Sequence, residues 1–271
     1  MLAWSTVASA FKIALRHGDV FSLVFGASLT SAFTLTFLAF LQHRGRDVIR
    51  FSPNDLMGFL NPVAYYLVLL AAYDRLLAAH ALAINYTWVL ALALLGVLFL
   101  KQRFSPQLAV GLLLGYGGVF LVVAGCDDFV LGKTEVLGIL LAFLSTWIWA
   151  VYWVYNARHA HDPLLSLVRQ FMVGTAASGV LWLLFSRRMS LPGAAGAAYL
   201  GIMEMGLSFF TWLSALRLTR NAARLGALVF LSPVLSLVWI SIFLQEPLNV
   251  LTFAGMGAIL LGVAFTRWAP S

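Results

Sequence analysis

Uncharged apolar runs, each long enough to cross a bilayer as a helix, occupy most of this 271-residue chain. A helix needs about 20 apolar residues to span a hydrocarbon core about 30 Å thick. The nine runs cover residues 20–42, 56–73, 76–100, 104–126, 136–157, 170–186, 189–216, 225–245 and 247–266, and Glu204 is the one charge inside them. Because 62% of the residues are hydrophobic and 10% charged, we predict an all-α integral membrane protein.

The N-terminal segment, residues 1–16, is a shorter tenth candidate that contains Lys12. A helix of that length reaches about 24 Å, less than the hydrocarbon core requires. We therefore expect ten transmembrane helices of which the first is truncated. Either this helix is genuinely short, or Met1 lies inside the first span of a longer chain, which is the reading that we favour. A cleaved signal peptide is not favoured, because Lys12 interrupts the apolar region and no small-residue cleavage motif follows.

The basic residues are distributed unevenly between the two sides that this arrangement creates. If the N-terminus is cytoplasmic, the inner side receives eleven of the 17 lysines and arginines and the outer side five, while Lys12 lies within the first span. The positive-inside rule then predicts that both termini are cytoplasmic, in an inner (plasma) membrane. The net charge of +7 follows from topology, so no nucleic-acid partner is expected.

The chain resembles itself at an offset of 144 residues. The matching pairs fall in order across two consecutive spans and their loop: Ala78 with Ala222, Ala79 with Ala223, Phe99 with Phe243, Gly111 with Gly255 and Gly118 with Gly262. Because five spans per half is an odd number, the second half must enter the membrane inverted. We predict inverted repeats at residues 1–125 and 134–267, an arrangement typical of transporters with a midplane site.

Lys12 and Glu204 are the two charged residues inside predicted spans, where a charge costs about 2.5–3.5 kcal/mol on insertion scales. Lys12 shares a helix face with Ser5, and Glu204 shares one with Ser208, so both are expected to face inward. Three readings are open: a Lys12–Glu204 ion pair that only holds the bundle together, two poles of a site for a zwitterion, or Glu204 as the carrier of a coupling proton.

Other candidate pocket residues lie at polar or interrupted places in the spans. Asn85 and Trp88 flank a polar stretch of the fourth span, and Trp149 matches Trp4 of the first. Ser208 and Trp212 follow Glu204 along the eighth span. Pro62 and Pro233 each remove a helical hydrogen bond, and transporters place their sites at interrupted helices.

Covalent chemistry, metals and cofactors are not expected. His159 and His161 form a single H-x-H pattern in a basic loop, which is more typical of a solvated loop than of a metal site. Catalytic serine, cysteine or histidine constellations and paired carboxylates within the spans are missing from the sequence. We therefore predict a protein that is not an enzyme and that uses no cofactor.

Stretches in both halves of the chain carry a family resemblance. The segment FLSPVLSLVWISIFLQEPLNVLTFAGMGAILLGV is similar to the closing hairpin of the EamA-like family of the drug/metabolite transporter superfamily, in which a leucine-glycine-glutamate motif follows a proline-centred span. Here the motif reads Leu244, Gln245 and Glu246, so a glutamine replaces the usual glycine. The stretches EMGLSFFTWLSALRLTRNAA and AINYTWVLALALLGVLFLKQRFS resemble the span before it and its first-half counterpart.

The resemblance implies ten helices in two inverted five-helix repeats, a central cavity, and small metabolites moved by alternating access, often outward. We therefore predict an inner-membrane transporter, an exporter of small organic solutes such as amino acids, whose substrate site comprises Lys12, Asn85, Trp88, Trp149, Glu204, Ser208 and Trp212. Its partners would be a small-molecule substrate, the lipid bilayer and a coupling proton. The alternatives are an integral-membrane enzyme acting on lipids and a pseudo-carrier subunit that does not transport.

Overall fold

The computed structural model describes residues 2–100, 106–124, 133–159, 162–186, 189–212 and 231–267. Those residues are almost entirely helical, and among them the β-structure is a single isolated bridge between Gly18 and Met189. Expectations that concern Cys126, His161, the basic loop 217–224 and the repeat matches at Ala222 and Ala223 lie outside the described residues.

The described residues form α-helices that range from 8 to 27 residues in length. In chain order they are α1 (Leu2–Leu15), α2 (Val20–Leu41), α3 (Tyr65–Arg75), α4 (Ala78–Asn85), α5 (Trp88–Leu100), α6 (Pro106–Ala124), α7 (Lys133–His159), α8 (Pro163–Phe185), α9 (Leu191–Tyr199), α10 (Leu231–Trp239) and α11 (Val250–Arg267). Within the described ranges, five helical stretches are long and apolar enough to cross a membrane, and four shorter apolar helices accompany them.

Helix α8 begins earlier than the uncharged run predicted. The run starts at residue 170 because Arg169 precedes it, whereas the helix starts at Pro163, with the Asp162 carboxylate accepting the Leu165 N–H at 3.1 Å. Arg169 therefore lies inside the helix. Its Nε donates to Asp55 Oδ2 at 3.0 Å. This ion pair compensates for the cost of burying the arginine charge, so the helix can extend past it.

Two of the predicted spans change helix type near their centres. A 3₁₀ segment (Pro53–Phe59) and a π turn (Leu60–Ala64) precede α3, and Asn61 has non-helical angles of φ −141° and ψ 117°. This confirms the interruption predicted at Pro62, because the residue before a proline avoids the helical region. Helix α9 likewise runs into a π segment, Leu200–Ser208.

The π segments Leu60–Ala64 and Leu200–Ser208 fall at matching places in the chain. The 144-residue offset places Leu60–Ala64 on residues 204–208, within the longer π segment. The fourth span is also broken, at Tyr86 and Thr87 between α4 and α5. Since π turns in α-helices occur frequently at functional sites, these breaks direct attention to the region between them.

Close helix packing joins the first and second halves of the chain. Helix α2 packs against α8 and the π segment Leu200–Ser208, and α3 packs against α7. Helix α1 contacts α10 through Ser5, whose carbonyl oxygen accepts from Ser236 Oγ at 2.8 Å and whose Oγ accepts from Trp239 Nε1 at 2.9 Å. Ser5 is fully buried, as its predicted inward face requires.

Helices α6 and α11 approach each other through glycines. A Cβ atom on Gly118 would lie 2.6 Å from the carbonyl oxygen of Gly255, and one on Gly262 would lie 2.5 Å from that of Gly111. Position 118 thus contacts 255 while 111 contacts 262, so the two helices run antiparallel. Small residues of this kind allow membrane helices to pack backbone against backbone.

We expect Gly118→Ala to destabilise the protein by about 1–3 kcal/mol, because the added methyl group overlaps backbone atoms that cannot move aside. Gly117→Ala is the matched control, since open space extends at least 4 Å from its Cβ position among the described residues. The control should be unchanged or up to about 1 kcal/mol more stable, because alanine favours helix. Thermal melting in detergent measures both, and equal behaviour of the two variants would contradict the packing.

The residue after the π turn Ile240–Leu244 has left-handed backbone angles. Gln245 has φ 53° and ψ 30°, a conformation that glycine adopts without steric cost. The EamA-like motif that this segment resembles has glycine at this position, and glycine suits a left-handed conformation. A non-glycine residue at this point carries a penalty of about 1–2 kcal/mol.

Replacing Gln245 by glycine should therefore stabilise the protein by about 1 kcal/mol, whereas Gln245→Ala should give no gain. His43, with φ 57°, offers a second test of the same physics, and His43→Gly should also stabilise. The midpoint of thermal unfolding in one detergent decides the matter. A glycine variant no more stable than the alanine variant at position 245 would show that the left-handed conformation carries no cost there.

Candidate functional site

A cavity of about 90 Å³ lies among helices of both halves of the chain. Its walls come from α1, α3, the region of the break between α4 and α5, α7, the π segment Leu200–Ser208 and Phe209 directly after it. Eight of its fourteen lining residues are aromatic; the fourteen are Trp4, Val7, Ala8, Phe11, Tyr65, Leu69, Tyr73, Leu82, Asn85, Tyr86, Trp88, Trp149, Glu204 and Phe209. The cavity is therefore apolar and aromatic around a small number of polar groups, as binding sites for small molecules usually are.

Glu204 lines this cavity from within the π segment Leu200–Ser208 and is 8% exposed. Its Oε1 accepts a hydrogen bond from the hydroxyl of Tyr66 at 3.0 Å. Its Oε2 is buried and has no hydrogen-bond partner among the described residues. Because burying an unsatisfied carboxyl oxygen is costly, this atom is the most conspicuous candidate for binding a ligand or a proton.

Lys12 does not pair with Glu204 in the described residues, which contradicts the simplest of the three expectations for the two charges. The lysine lies in the last turn of α1, is partly exposed and is not among the residues that line the cavity. The charges that act on it are those of Glu246, Asp74 and Arg16. Lys12 thus lies outside the cavity, in a group of charged residues with Glu246, Asp74 and Arg16. We call this group the Lys12 end of the bundle.

Asn85 occupies the end of α4, directly before the break in the fourth span. Its Nδ2 donates to Ser145 Oγ at 2.9 Å, and its Oδ1 accepts from the Tyr65 hydroxyl at 3.4 Å. The amide therefore joins α4 to α7 and α3 while its side chain lines the cavity. Asn85 therefore holds helices together, as amides in membrane helices commonly do, and also places a polar group at the cavity.

Trp149 and Trp88 also line the cavity, as predicted for pocket residues. The Trp149 ring centroid is 4.5 Å from that of Tyr65 and 5.4 Å from that of Phe209. Trp88 meets Trp149 edge to face at 6.4 Å. This cluster of rings, Tyr65, Trp88, Trp149 and Phe209, is called the aromatic wall below.

Ser208 and Trp212 are not among the residues that line the cavity. The Ser208 hydroxyl donates to the carbonyl oxygen of Met203 at 2.5 Å. Trp212 packs on Trp4 with the ring centroids 5.7 Å apart, and it is Trp4 that lines the cavity. Of the seven predicted site residues, the structure brings Asn85, Trp88, Trp149 and Glu204 together and leaves Lys12, Ser208 and Trp212 outside the lining.

Tyr65, Tyr66 and Phe209 are among the contributors that sequence reasoning missed. The two tyrosines follow the π turn Leu60–Ala64, and Phe209 follows the π segment that carries Glu204. Tyr66 holds the acid, while Tyr65 and Phe209 contact Trp149. The repeat offset was the available signal, since it aligns the proline-marked break before Tyr65 with the residues around Glu204.

Glu246 connects the Lys12 end to the cavity. Its Oε2 accepts from the backbone N–H groups of Ala78 at 2.7 Å and Ala79 at 3.4 Å, which are the free donors at the start of α4. A carboxylate at a helix N-terminus is favoured by both hydrogen bonding and the helix dipole. The acid of the leucine-glycine-glutamate-like motif thus fixes the helix that ends in Asn85.

Broken apolar helices around a buried acid in an aromatic cavity are characteristic of a membrane transporter. The family model of the EamA-like transporter family matches residues 1–124 and 136–268. The chain therefore belongs to the EamA-like transporter family, and it is a multi-pass membrane transporter.

Individual relatives are consistent with this assignment. An uncharacterized protein of Pseudomonas aeruginosa is 31% identical over 97% of this chain and 90% of its own length. The aromatic amino acid exporter YddG of Salmonella typhimurium is 26% identical over 66% of this chain and 63% of its own length. A crystal structure with a TM-score of 0.71 and 23% identity, covering 97% of this chain and 92% of the other, has the same fold.

Proposed function

We propose that this transporter carries small organic solutes across the inner membrane by alternating access, without converting them chemically. The cavity would hold the solute, with Glu204 as the central polar group and the aromatic wall and Asn85 around it. One observation carries the proposal: Glu204, whose buried Oε2 has no partner among the described residues, lines a cavity built from both halves of the chain.

The inverted repeats at residues 1–125 and 134–267 are part of the same proposal. A two-fold axis requires that a contact between two residues recur between their counterparts. The sequence repeat pairs Gly111 with Gly255 and Gly118 with Gly262, and the contact of Gly118 with Gly255 has its counterpart in that of Gly111 with Gly262. The antiparallel course of α6 and α11 supports a second half that is inverted.

Alternating access requires contacts between the halves that can break on one side at a time. At the end of the bundle opposite Lys12, Asp55 pairs with Arg169 at 3.0 Å, and Arg44 pairs with Asp162. Both pairs join the first half to α8 or its cap, so they would close this end, called the Arg169 end, while the cavity is accessible from the other. By the positive-inside expectation the Arg169 end and both termini are cytoplasmic. Export is the expected direction because the family that the chain resembles often moves metabolites outward.

Glu204 would also serve as the binding site of a coupling proton. A single carboxyl group can take up a solute and a proton alternately, because both would bind at Oε2 and the two exclude each other. The three remaining predicted residues would affect Glu204 indirectly. Ser208 would stabilise the π segment that carries Glu204, and Trp212 would position Trp4 in the cavity wall. Lys12 would act through its charge interaction with Glu246.

An untargeted comparison of metabolites in the growth medium tests the proposal without assuming a substrate. Strains that lack, carry or overproduce the protein are compared, and an overproducer with Glu204→Gln is the matched control. We expect one or a few small organic solutes to rise in the medium with the amount of wild-type protein and not with the variant. Media that do not differ between the deletion and overproducing strains would contradict export.

A further inference from the structure

The cavity around Glu204 carries one charge. Among the described residues that line it, Glu204 is the sole acidic side chain and none is basic, because Lys12 lies outside the lining. This asymmetry decides which solute charge the cavity can accept. We propose that the group bound beside Glu204 is an organic ammonium ion, so that the solute is a cationic amine rather than a zwitterion; this inference rests on the proposed transport function.

The free oxygen of Glu204 provides the first half of such a site. Oε1 is already engaged by Tyr66 at 3.0 Å, whereas Oε2 is buried and unpartnered among the described residues. An ammonium N–H donates to a carboxylate oxygen in a short, charge-assisted hydrogen bond. Binding would therefore satisfy the orphaned atom and neutralise the buried charge in a single step.

The aromatic wall provides the second half. Cations are attracted to the faces of aromatic rings, and tryptophan attracts them most strongly. Trp149, Tyr65 and Phe209 form one packed group with ring centroids 4.5 and 5.4 Å apart, and all three line the same cavity as the acid. A carboxylate combined with aromatic walls is the combination that recognises alkylammonium groups.

Three polar groups beside Glu204 already have hydrogen-bond partners, which makes them poorly suited to the carboxylate of a zwitterion. The Asn85 amide already donates to Ser145, the Tyr65 hydroxyl to Asn85 and the Tyr66 hydroxyl to Glu204. A solute carboxylate would also lie close to Glu204, and like charges repel strongly where water is excluded. The penalty would fall on every amino acid and on none of the corresponding amines.

The size of the cavity indicates which part of the solute it holds. A volume of about 90 Å³ is smaller than the roughly 150 Å³ of an engineered cavity that admits benzene. It fits an ammonium group with a few carbon atoms. The remainder of a larger solute would extend from the cavity toward one end of the bundle.

Matched pairs of probes test the inference on the purified full-length protein. Isobutylamine and valine share a side chain and differ by the α-carboxylate, as do phenethylamine and phenylalanine, and valine methyl ester masks that carboxylate. Calorimetry in detergent measures affinity, and uptake into proteoliposomes measures transport. We expect both amines and the ester to bind at least about tenfold more tightly than the amino acids, and Glu204→Gln to abolish the preference.

The outcomes separate the inference from the proposed function. Amino acids that bind as tightly as the amines would overturn the inference, and their uptake into proteoliposomes would leave the transport function standing. Amines that bind but are not taken up would support the inference and contradict transport. Absence of binding in both series would overturn the inference.

Discussion

Glu204→Gln is expected to reduce transport by about 30-fold or more, since removing one partner of a buried charged contact typically costs 2–5 kcal/mol. The substitution nearly preserves the shape of the side chain and keeps an oxygen that can accept from Tyr66. It removes the negative charge and the group that can bind a proton. Transport should therefore be lost without loss of fold.

The measurement is the rate at which reconstituted vesicles move the solutes identified in the growth medium. Glu135→Gln is the matched control, because Glu135 lies in the first turn of α7, away from the cavity lining. It should transport at the wild-type rate. If Glu204→Gln and Glu135→Gln transport equally well, the acid has no central role.

Arg169→Met is expected to lower the free energy of unfolding by about 3–5 kcal/mol, because it leaves the Asp55 carboxylate buried without its cation. The two side chains are 13% and 2% exposed, so water cannot replace the lost partner. Arg50→Met is the control, since Arg50 is 80% exposed and faces Asp47 at 3.6 Å. Its effect should stay below about 1 kcal/mol.

A double variant separates the effect of leaving one charge buried without a partner from the effect of changing the size of the side chains. Asp55→Leu combined with Arg169→Met removes both charges, and it should recover much of the stability that Arg169→Met loses. Thermal unfolding of the four proteins in one detergent gives the comparison. A single variant at Arg169 as mild as the one at Arg50 would show that this pair does not hold the two halves together.

The helical fold was predictable because the chain is surrounded by a lipid bilayer rather than by water. Long uncharged runs predict helices because a bilayer leaves backbone groups no partner but their own segment, and the described residues are almost entirely helical. The charged boundary at Arg169 misled the prediction of α8, since the sequence does not display the Asp55 partner that allows an arginine to lie in a helix. Pairing across more than a hundred residues is a tertiary property.

The site residues that could be predicted are those whose side chains are unusual inside a membrane span. Glu204 was evident because an acid in an apolar run is expensive, and Asn85 because an amide there needs a partner. Tyr65 and Phe209 were not evident, since aromatic residues are found on both lipid-facing and buried sides of a span. Lys12 was expected beside Glu204 because helical facing defines an angle around the axis and not a depth along it.

The most direct measurement of alternating access is the labelling of a cysteine in the cavity from each side of the membrane. Val7, which lines the cavity, is replaced by cysteine in a chain whose single native cysteine, Cys126, is serine. His17→Cys at the Lys12 end and Arg50→Cys at the Arg169 end calibrate the two sides, because both residues are exposed.

We expect a membrane-impermeant thiol reagent to label Val7→Cys in vesicles of either orientation, while each calibrating cysteine is labelled from one side. That result requires a cavity that opens to both sides in turn. Labelling of Val7→Cys from one side alone, in both resting and transporting vesicles, would contradict passage through the Glu204 cavity.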